Sequence, residues 1–282
     1  EAAAAMLTQG IGRGLAGATI DALAAQLLTR AAARPATATA TEPSRAELDQ
    51  MATLFGQQRH AEMESAAQLL TMRYPHSGEA WKALGSARLF TAGGDAVEPL
   101  RLATRRLPAD AALHANLGGV LLAQQRFAEA ETPLRRAVEL DPAFVEARSN
   151  LGLVLMSLGR FAEAEACFRR AVEQAPKAAK AHNNLGMALK EQGRLESAEQ
   201  AFRAALDAEP DYAVAWSNLL LTLNYGARHS PAFCLSEARA FGAMLTRITP
   251  PQPPGWTCAN DATRLRVGLL SGDLGNHPVG YF

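Results

Sequence analysis

Residues 145–178 read VEARSNLGLVLMSLGRFAEAEACFRRAVEQAPKA, and the same pattern recurs at intervals of 34 residues. The triplet Asn150-Leu151-Gly152 is matched by Asn116-Leu117-Gly118 before it and by Asn184-Leu185-Gly186 after it. Small residues and a closing proline recur at the same interval: Ala130, Ala164 and Ala198; Ala137, Ala171 and Ala205; Pro142, Pro176 and Pro210. A fixed period at which several positions recur together is the sequence signature of stacked structural repeats.

Each unit is predicted to hold two helices joined by a tight turn. Leu151, Leu155 and Leu158 are spaced i, i+4 and i+7, which predicts one buried face on the first helix. Gly159 is predicted to end that helix, because glycine adopts a left-handed conformation without steric cost. Pro176 then ends the second helix, since proline lacks the N–H that a helix needs.

This pattern resembles the tetratricopeptide repeat (TPR) family. The resemblance predicts an all-α fold, a TPR superhelical solenoid over residues 44–247, preceded by an Ala-rich segment and linker at residues 1–43. The predicted repeats lie near residues 44–77, 78–110, 111–144, 145–178 and 179–212, with a degenerate unit at 213–247. Small residues at the crossing of the two helices, such as Gly152, should let them pack closely.

The charge balance argues against two classes of partner. Lys plus Arg and Asp plus Glu both number 28, so the chain has no net field with which to hold nucleic acid or an anionic membrane. The three cysteines lie far apart with no Cys/His cluster, so no metal site is predicted and a reducing, cytoplasmic location is expected.

A different pattern begins after the repeats. Residues 248–264 are predicted to be a Pro-rich linker, and the apolar run at residues 265–270 is typical of a buried strand. The loop that follows is neither a dinucleotide fingerprint, because Leu270 stands where a glycine is needed, nor a Walker loop. Residues 265–282 are therefore interpreted as the start of a truncated α/β domain.

The residues Ser217-Asn218-Leu219-Leu220-Leu221-Thr222-Leu223-Asn224-Tyr225, Leu265-Arg266-Val267-Gly268 and Asn276-His277-Pro278 resemble the junction and opening catalytic motif of the O-GlcNAc transferase and SPINDLY-like glycosyltransferases. The resemblance implies a glycosyltransferase domain, of which residues 265–282 would be the first strand and loop. It also implies transfer of N-acetylglucosamine from UDP-GlcNAc to Ser/Thr of proteins, with no cofactor and with His277 in the active site. The 282-residue chain is expected to be an N-terminal fragment that is inactive alone.

Alternatives to this enzyme remain open. They are a TPR scaffold for protein–protein interaction without catalysis, and a SPINDLY-like protein O-fucosyltransferase. His277 alternatively serves only to hydrogen-bond the loop backbone before Pro278.

A ladder of asparagines is the second candidate site. Asn116, Asn150, Asn184 and Asn218 occupy equivalent places in successive first helices, which line the concave face in TPR proteins. An amide side chain both donates and accepts, so it can hydrogen-bond a peptide backbone of any sequence. The ladder therefore predicts a protein or peptide acceptor in the concave face. The alternative is that these asparagines only cap or space neighbouring helices.

Overall fold

The computed structural model describes residues 41–91, 94–226 and 228–248. The twelve helices of these residues are α1 (Arg45–Gly56), α2 (His60–Arg73), α3 (Gly78–Arg88), α4 (Val97–Arg106), α5 (Ala111–Ala123), α6 (Phe127–Leu140), α7 (Val145–Ser157), α8 (Phe161–Gln174), α9 (Ala179–Glu191), α10 (Leu195–Ala208), α11 (Ala213–Tyr225) and α12 (Pro231–Ile248). No strand occurs within these ranges. The prediction of an all-α repeat solenoid is confirmed, whereas the predicted strand at 265–270 lies outside the described residues.

Each helix packs against the next along the chain, and the pairing follows the 34-residue period. The odd-numbered helices are the first helices of each pair and the even-numbered helices are the second. Three buried apolar clusters result: one from Met51 to Ala87, one from Ala96 to Leu223, and a small one of Ala115, Ala137 and Ala147. Trp81 packs against the first two. The described helices therefore share a core that is continuous along the stack.

The starts of α1, α3 and α5 are capped by side chains that accept backbone hydrogen bonds. Ser44 and Glu47 form a reciprocal capping box at the start of α1. The Ser77 hydroxyl accepts from Ala80 N at 3.3 Å, and the Asp110 carboxylate accepts from Leu113 N at 3.1 Å. These contacts satisfy donors that the first turn of a helix leaves unpaired.

A left-handed residue ends four of the first helices. Gly159 and Gly193 have φ values of +74° and +73°, and glutamines with φ +58° occupy the equivalent positions 58 and 125. At Gly159 the chain makes the paired bonds of a Schellman motif, with Arg160 N donating to Leu155 O at 2.9 Å. The turn that this motif makes sends the second helix back along the first.

The helices of a pair approach closely because a glycine faces a large side chain. Cβ atoms added at Gly152 and Gly186 would lie 2.6 Å from ring carbons of Phe168 and Phe202, respectively. Both rings are fully buried. No side chain larger than hydrogen fits at these glycines without displacing the ring.

One detail of the predicted packing is wrong. Leu151 and Leu155 are buried as expected, at 4% and 1% exposure, but Leu158 is 37% exposed. Leu158 is the C-cap residue of α7, so its position no longer follows the helical spacing that placed it on the inner face.

Arginine–glutamate contacts connect successive second helices. Glu131 accepts from Arg135 on its own helix at 2.8 Å and from Arg160, which precedes the next second helix, at 2.6 Å. Glu165 repeats the arrangement with Arg169 and Arg194. Glu131 and Glu165, which are equivalent positions 34 residues apart, thus each connect their own repeat to the one that follows it.

Candidate functional site

The first helices lie side by side on one face of the stack. Helix α5 contacts α7, α7 contacts α9 and α9 contacts α11, in addition to the contacts of each with its second-helix partner. We call the surface that these four helices share the first-helix face. It is the surface on which the sequence places the asparagine ladder.

The structure brings the four predicted asparagines onto this face, one on each helix. Asn116, Asn150, Asn184 and Asn218 are all half-buried. A Cβ atom at Gly119 would lie 3.8 Å from Asn150 Nδ2, so the Asn150 amide rests over the neighbouring helix. The amides occur once per repeat along a line of adjacent helices.

Hydrogen bonding distinguishes the last asparagine from the other three. Asn218 Nδ2 donates to Asn183 Oδ1 at 2.9 Å. Within the described residues, the side chains of Asn116, Asn150 and Asn184 make no hydrogen bond to protein. Their donors and acceptors are therefore available to a partner, whereas one N–H of Asn218 is already used.

Asn183 is a residue that the sequence analysis missed. It is 2% exposed and lies one position before the ladder residue Asn184. Ser149 and Ala115 hold the equivalent position in the two preceding units, so the 34-residue alignment alone does not single it out. The Asn183-Asn184 doublet was the available signal, because it places a second amide on α9, which the Asn218 amide of the neighbouring helix α11 can reach.

A second recurrent set of polar side chains proves to be structural. Each side chain on the first helix reaches the carbonyl of the proline six residues before it, in the pairs Trp81–Pro75, His114–Pro108, Arg148–Pro142, His182–Pro176 and Trp216–Pro210. The distance is 2.9 Å for both tryptophans. Because a carbonyl only accepts, Nε2 of each histidine carries the proton. These bonds fix each first helix to the preceding loop and leave the ladder free.

Arg148 differs from the others in this set. It is 8% exposed, and its Nε atom is buried without a hydrogen-bond partner. Burial of the Arg148 guanidinium costs free energy of desolvation. In other repeats an aromatic side chain makes the same contact with the proline carbonyl without burying a charge.

Charge is concentrated at the second helices. Hydrogen bonds from Arg160 and Arg135 lower the pKa of Glu163 to about 2. Hydrogen bonds from Arg135 and Arg160 also lower the pKa of Glu131, against a smaller effect of burial. Burial alone would raise the pKa of Glu199, but hydrogen bonds from His229 and Arg203 lower it. These carboxylates are ionised near neutral pH and are occupied by their partners.

No candidate metal site is found in residues 41–91, 94–226 and 228–248. No group of three His, Cys, Asp or Glu side chains there could hold a metal ion. Burial raises the pKa of the Cys167 thiol, which makes it a poor nucleophile. The predicted active-site residue His277 lies outside the described residues. None of the described helices is both long and apolar enough to span a bilayer.

An open depression of about 730 Å³ lies near the N-terminal end of the described helices. His60 and Phe90 line it, with their rings stacked at 4.7 Å, and Phe55 meets Phe90 edge-on at 5.5 Å. None of the ladder asparagines lines it, so it is separate from the first-helix face.

Comparisons with known proteins bear on the repeats. The model of the tetratricopeptide repeat family matches residues 93–143 and 149–213. A search of curated proteins gives no match.

Several solved structures share the fold. YrrB, described as a TPR protein with an unusual peptide-binding site, is 23% identical with a TM-score of 0.57, over 62% of this chain and 91% of that one. PilF from Pseudomonas aeruginosa is 19% identical with a TM-score of 0.59, over 73% and 92%. MamA from Desulfovibrio magneticus RS-1 is 19% identical with a TM-score of 0.53, over 60% and 93%. At these identities the likeness concerns the fold alone. Residues 93–143 and 149–213 therefore match tetratricopeptide repeats, and the described helices have the fold of a TPR solenoid.

Proposed function

We propose that the solenoid binds an extended segment of another protein along the first-helix face. The observation that carries this proposal is the line of amides on adjacent helices, three of which have no hydrogen-bond partner among the described residues. Neighbouring helices lie about 8–10 Å apart, and an extended peptide advances about 3.3 Å per residue. One asparagine therefore meets about every third residue of such a peptide.

The amides supply affinity without requiring a particular sequence. A hydrogen bond to the peptide backbone contributes a net of about 1 kcal/mol, so three or four of them give weak, sequence-tolerant binding. That chemistry suits a scaffold for protein–protein interaction. YrrB, a TPR protein with a peptide-binding site, is consistent with peptide binding by this fold.

The test compares two alanine variants, one that removes ladder amides and one that removes an amide from another face. Asn150→Ala with Asn184→Ala removes two adjacent rungs, whereas Gln200→Ala removes an exposed amide from the second helix α10. In binding assays with a long unfolded polypeptide, the double variant is expected to lose about thirtyfold in affinity and the control none. Equal affinities for the two variants would refute the ladder.

Protein glycosylation is a second candidate function, favoured by the motif at residues 265–282. If a glycosyltransferase domain continues from this motif, the solenoid would present protein acceptors to a nucleotide-sugar site. His277 would then lie at that site, where an imidazole can exchange a proton or donate to a phosphate or sugar oxygen near neutral pH.

The enzyme proposal is tested on the product of the complete reading frame that encodes Phe282. Incubation with labelled UDP-GlcNAc and a Ser/Thr-rich protein should transfer label, and His277→Ala should abolish transfer without loss of helical signal. Transfer from GDP-fucose instead would identify the SPINDLY-like alternative. Absence of transfer from both donors would leave the protein-binding scaffold as the function.

A further inference from the structure

Apolar side chains form a second line on the first-helix face, beside the asparagines. Three residues after each ladder residue the sequence has Gly119, Leu153, Met187 and Leu221. On a helix, positions three apart share one face. The contact between Asn150 Nδ2 and the Cβ position of Gly119 shows that a ladder amide adjoins this position of the preceding helix. By the repeat, Asn184 adjoins Leu153, and Asn218 adjoins Met187.

These apolar side chains are partly accessible to a partner. Leu153 and Met187 are half-buried, and Leu221 is 43% exposed. We call Leu153, Met187 and Leu221 the apolar stripe. Because each member adjoins an amide of the next repeat, a peptide whose backbone bonds the amides would place its side chains against the stripe.

The centre of the first-helix face carries no charge. Twelve positions make up this centre, three on each of α5, α7, α9 and α11: the ladder asparagine, the residue before it and the residue three after it, and none of the twelve is charged. With 20% of the chain charged, about two of twelve positions would carry a charge by composition alone. Glu146 and Lys180 lie instead near the starts of α7 and α9. Each lies one turn before its ladder asparagine, so these charges are at the rim of the centre, and a charged peptide side chain over the centre itself would be desolvated.

We propose that the apolar stripe makes the solenoid selective for uncharged, extended segments with an apolar side chain at about every third residue. This inference rests on the proposed binding along the asparagine ladder. The partner would be an unfolded or flexible protein segment rather than a folded surface. The amides hold its backbone, while leucine and methionine, which adapt to different shapes, accept its side chains.

Binding of three fluorescent peptides to the full chain tests the inference. Each peptide has about 12 residues, the length that spans the four first helices. They are built from Ser-Gly-Leu, Ser-Gly-Ser and Ser-Gly-Glu triplets, with blocked ends. The Leu peptide should bind at least tenfold more tightly than the Ser peptide, and the Glu peptide should bind least.

Variants of the stripe and of the ladder should act differently. The triple variant Leu153→Ser, Met187→Ser and Leu221→Ser should remove the preference for the Leu peptide and leave affinity for the Ser peptide unchanged. Asn150→Ala with Asn184→Ala should weaken both peptides by the same factor. Gly119→Leu, which adds a fourth apolar residue at an open position, should raise affinity for the Leu peptide alone by about fivefold. Far-UV circular dichroism of each variant verifies that the helices are retained.

The outcomes separate this inference from the function beneath it. The selectivity would be overturned if the stripe variant still prefers the Leu peptide, or if the wild-type protein binds the Glu peptide as tightly as the Leu peptide. Binding along the ladder would still stand in either case, provided that the ladder variant weakens binding of both the Leu and the Ser peptides. Absence of binding by all three peptides would overturn the ladder and the selectivity together.

Discussion

Two adjacent glycines in α5 provide a direct test of how closely the helices of a pair are packed. A Cβ at Gly118 would lie 2.7 Å from Leu134 Cδ2, and Leu134 is fully buried between the helices. A Cβ at Gly119 would meet only Asn150 Nδ2, at 3.8 Å. Alanine substitution adds the same methyl group to the same helix in both cases, but only one methyl group is obstructed.

The expected magnitudes follow from two opposing effects. Replacing glycine by alanine inside a helix stabilises it by about 1 kcal/mol, and both variants receive this gain. Overpacking a filled core costs about 1–3 kcal/mol, and only Gly118→Ala incurs this cost. We therefore expect Gly119→Ala to stabilise the protein by about 1 kcal/mol and Gly118→Ala to fall about 1–3 kcal/mol below it.

Urea denaturation followed by far-UV circular dichroism measures the difference between the two variants. The decisive control is Leu134→Ala in the Gly118→Ala background, because removal of the leucine side chain relieves the obstruction and should give a favourable coupling energy of about 1 kcal/mol. Equal stability of Gly118→Ala and Gly119→Ala would refute the close packing that defines the repeat.

Three further predictions concern other parts of the solenoid. Arg148→Trp should stabilise the protein by about 1 kcal/mol in thermal melts, because Trp81 and Trp216 make the same bond to a proline carbonyl without burying a charge; a lower melting temperature would show that the buried cation is favourable. Gln125→Gly should stabilise by about 1 kcal/mol, since residue 125 has φ +58°, whereas Gln124→Gly, at φ −83°, should destabilise, and the opposite order would contradict a left-handed turn. The inter-repeat carboxylates have lowered pKa values, so their contribution to stability is complete above about pH 4.5 and should be lost as the pH falls towards the Glu163 pKa of about 2. High salt screens the ion pairs, so acid titration in high salt should show a smaller loss of stability. An acid titration that does not change with salt would argue against a role of these ion pairs in stability.

The repeat period was sufficient to predict the solenoid, because the residues that recur at 34-residue intervals are also the residues that pack in the core. Gly152 and Phe168 recur at the crossing of the two helices, and the structure puts them in contact there. The prediction that Leu158 is buried was wrong, because helical spacing does not reveal that the helix ends one residue earlier. Sequence alignment located the ladder asparagines but not their bonding, because the Asn183–Asn218 contact joins residues 35 apart rather than 34.

The bonds to the proline carbonyls show why some repeated polar residues are poor evidence for a binding site. Tryptophan, histidine and arginine alternate at one position of the repeat, and all of them reach the same carbonyl. A position that accepts such different side chains requires only an N–H donor of sufficient length. The ladder position shows the reverse pattern, with the same residue in four successive repeats and no shared intramolecular partner.

The division of charge between the two sets of helices connects stability with binding. Charged groups of the second helices pair with one another across repeats, as in the contact of Glu165 with Arg194 at 2.7 Å. Their hydrogen-bonding capacity is therefore used within the solenoid, where it joins one repeat to the next. The first helices associate through small and apolar residues, and the amides of Asn116, Asn150 and Asn184 make no hydrogen bond within the described residues. A face built in this way can bind a peptide backbone without disturbing the contacts that hold the repeats together. Substitutions of Asn116, Asn150 and Asn184 should therefore alter binding and leave the melting temperature unchanged, whereas substitution of Asn218 should also lower it, because its bond to the buried Asn183 is lost.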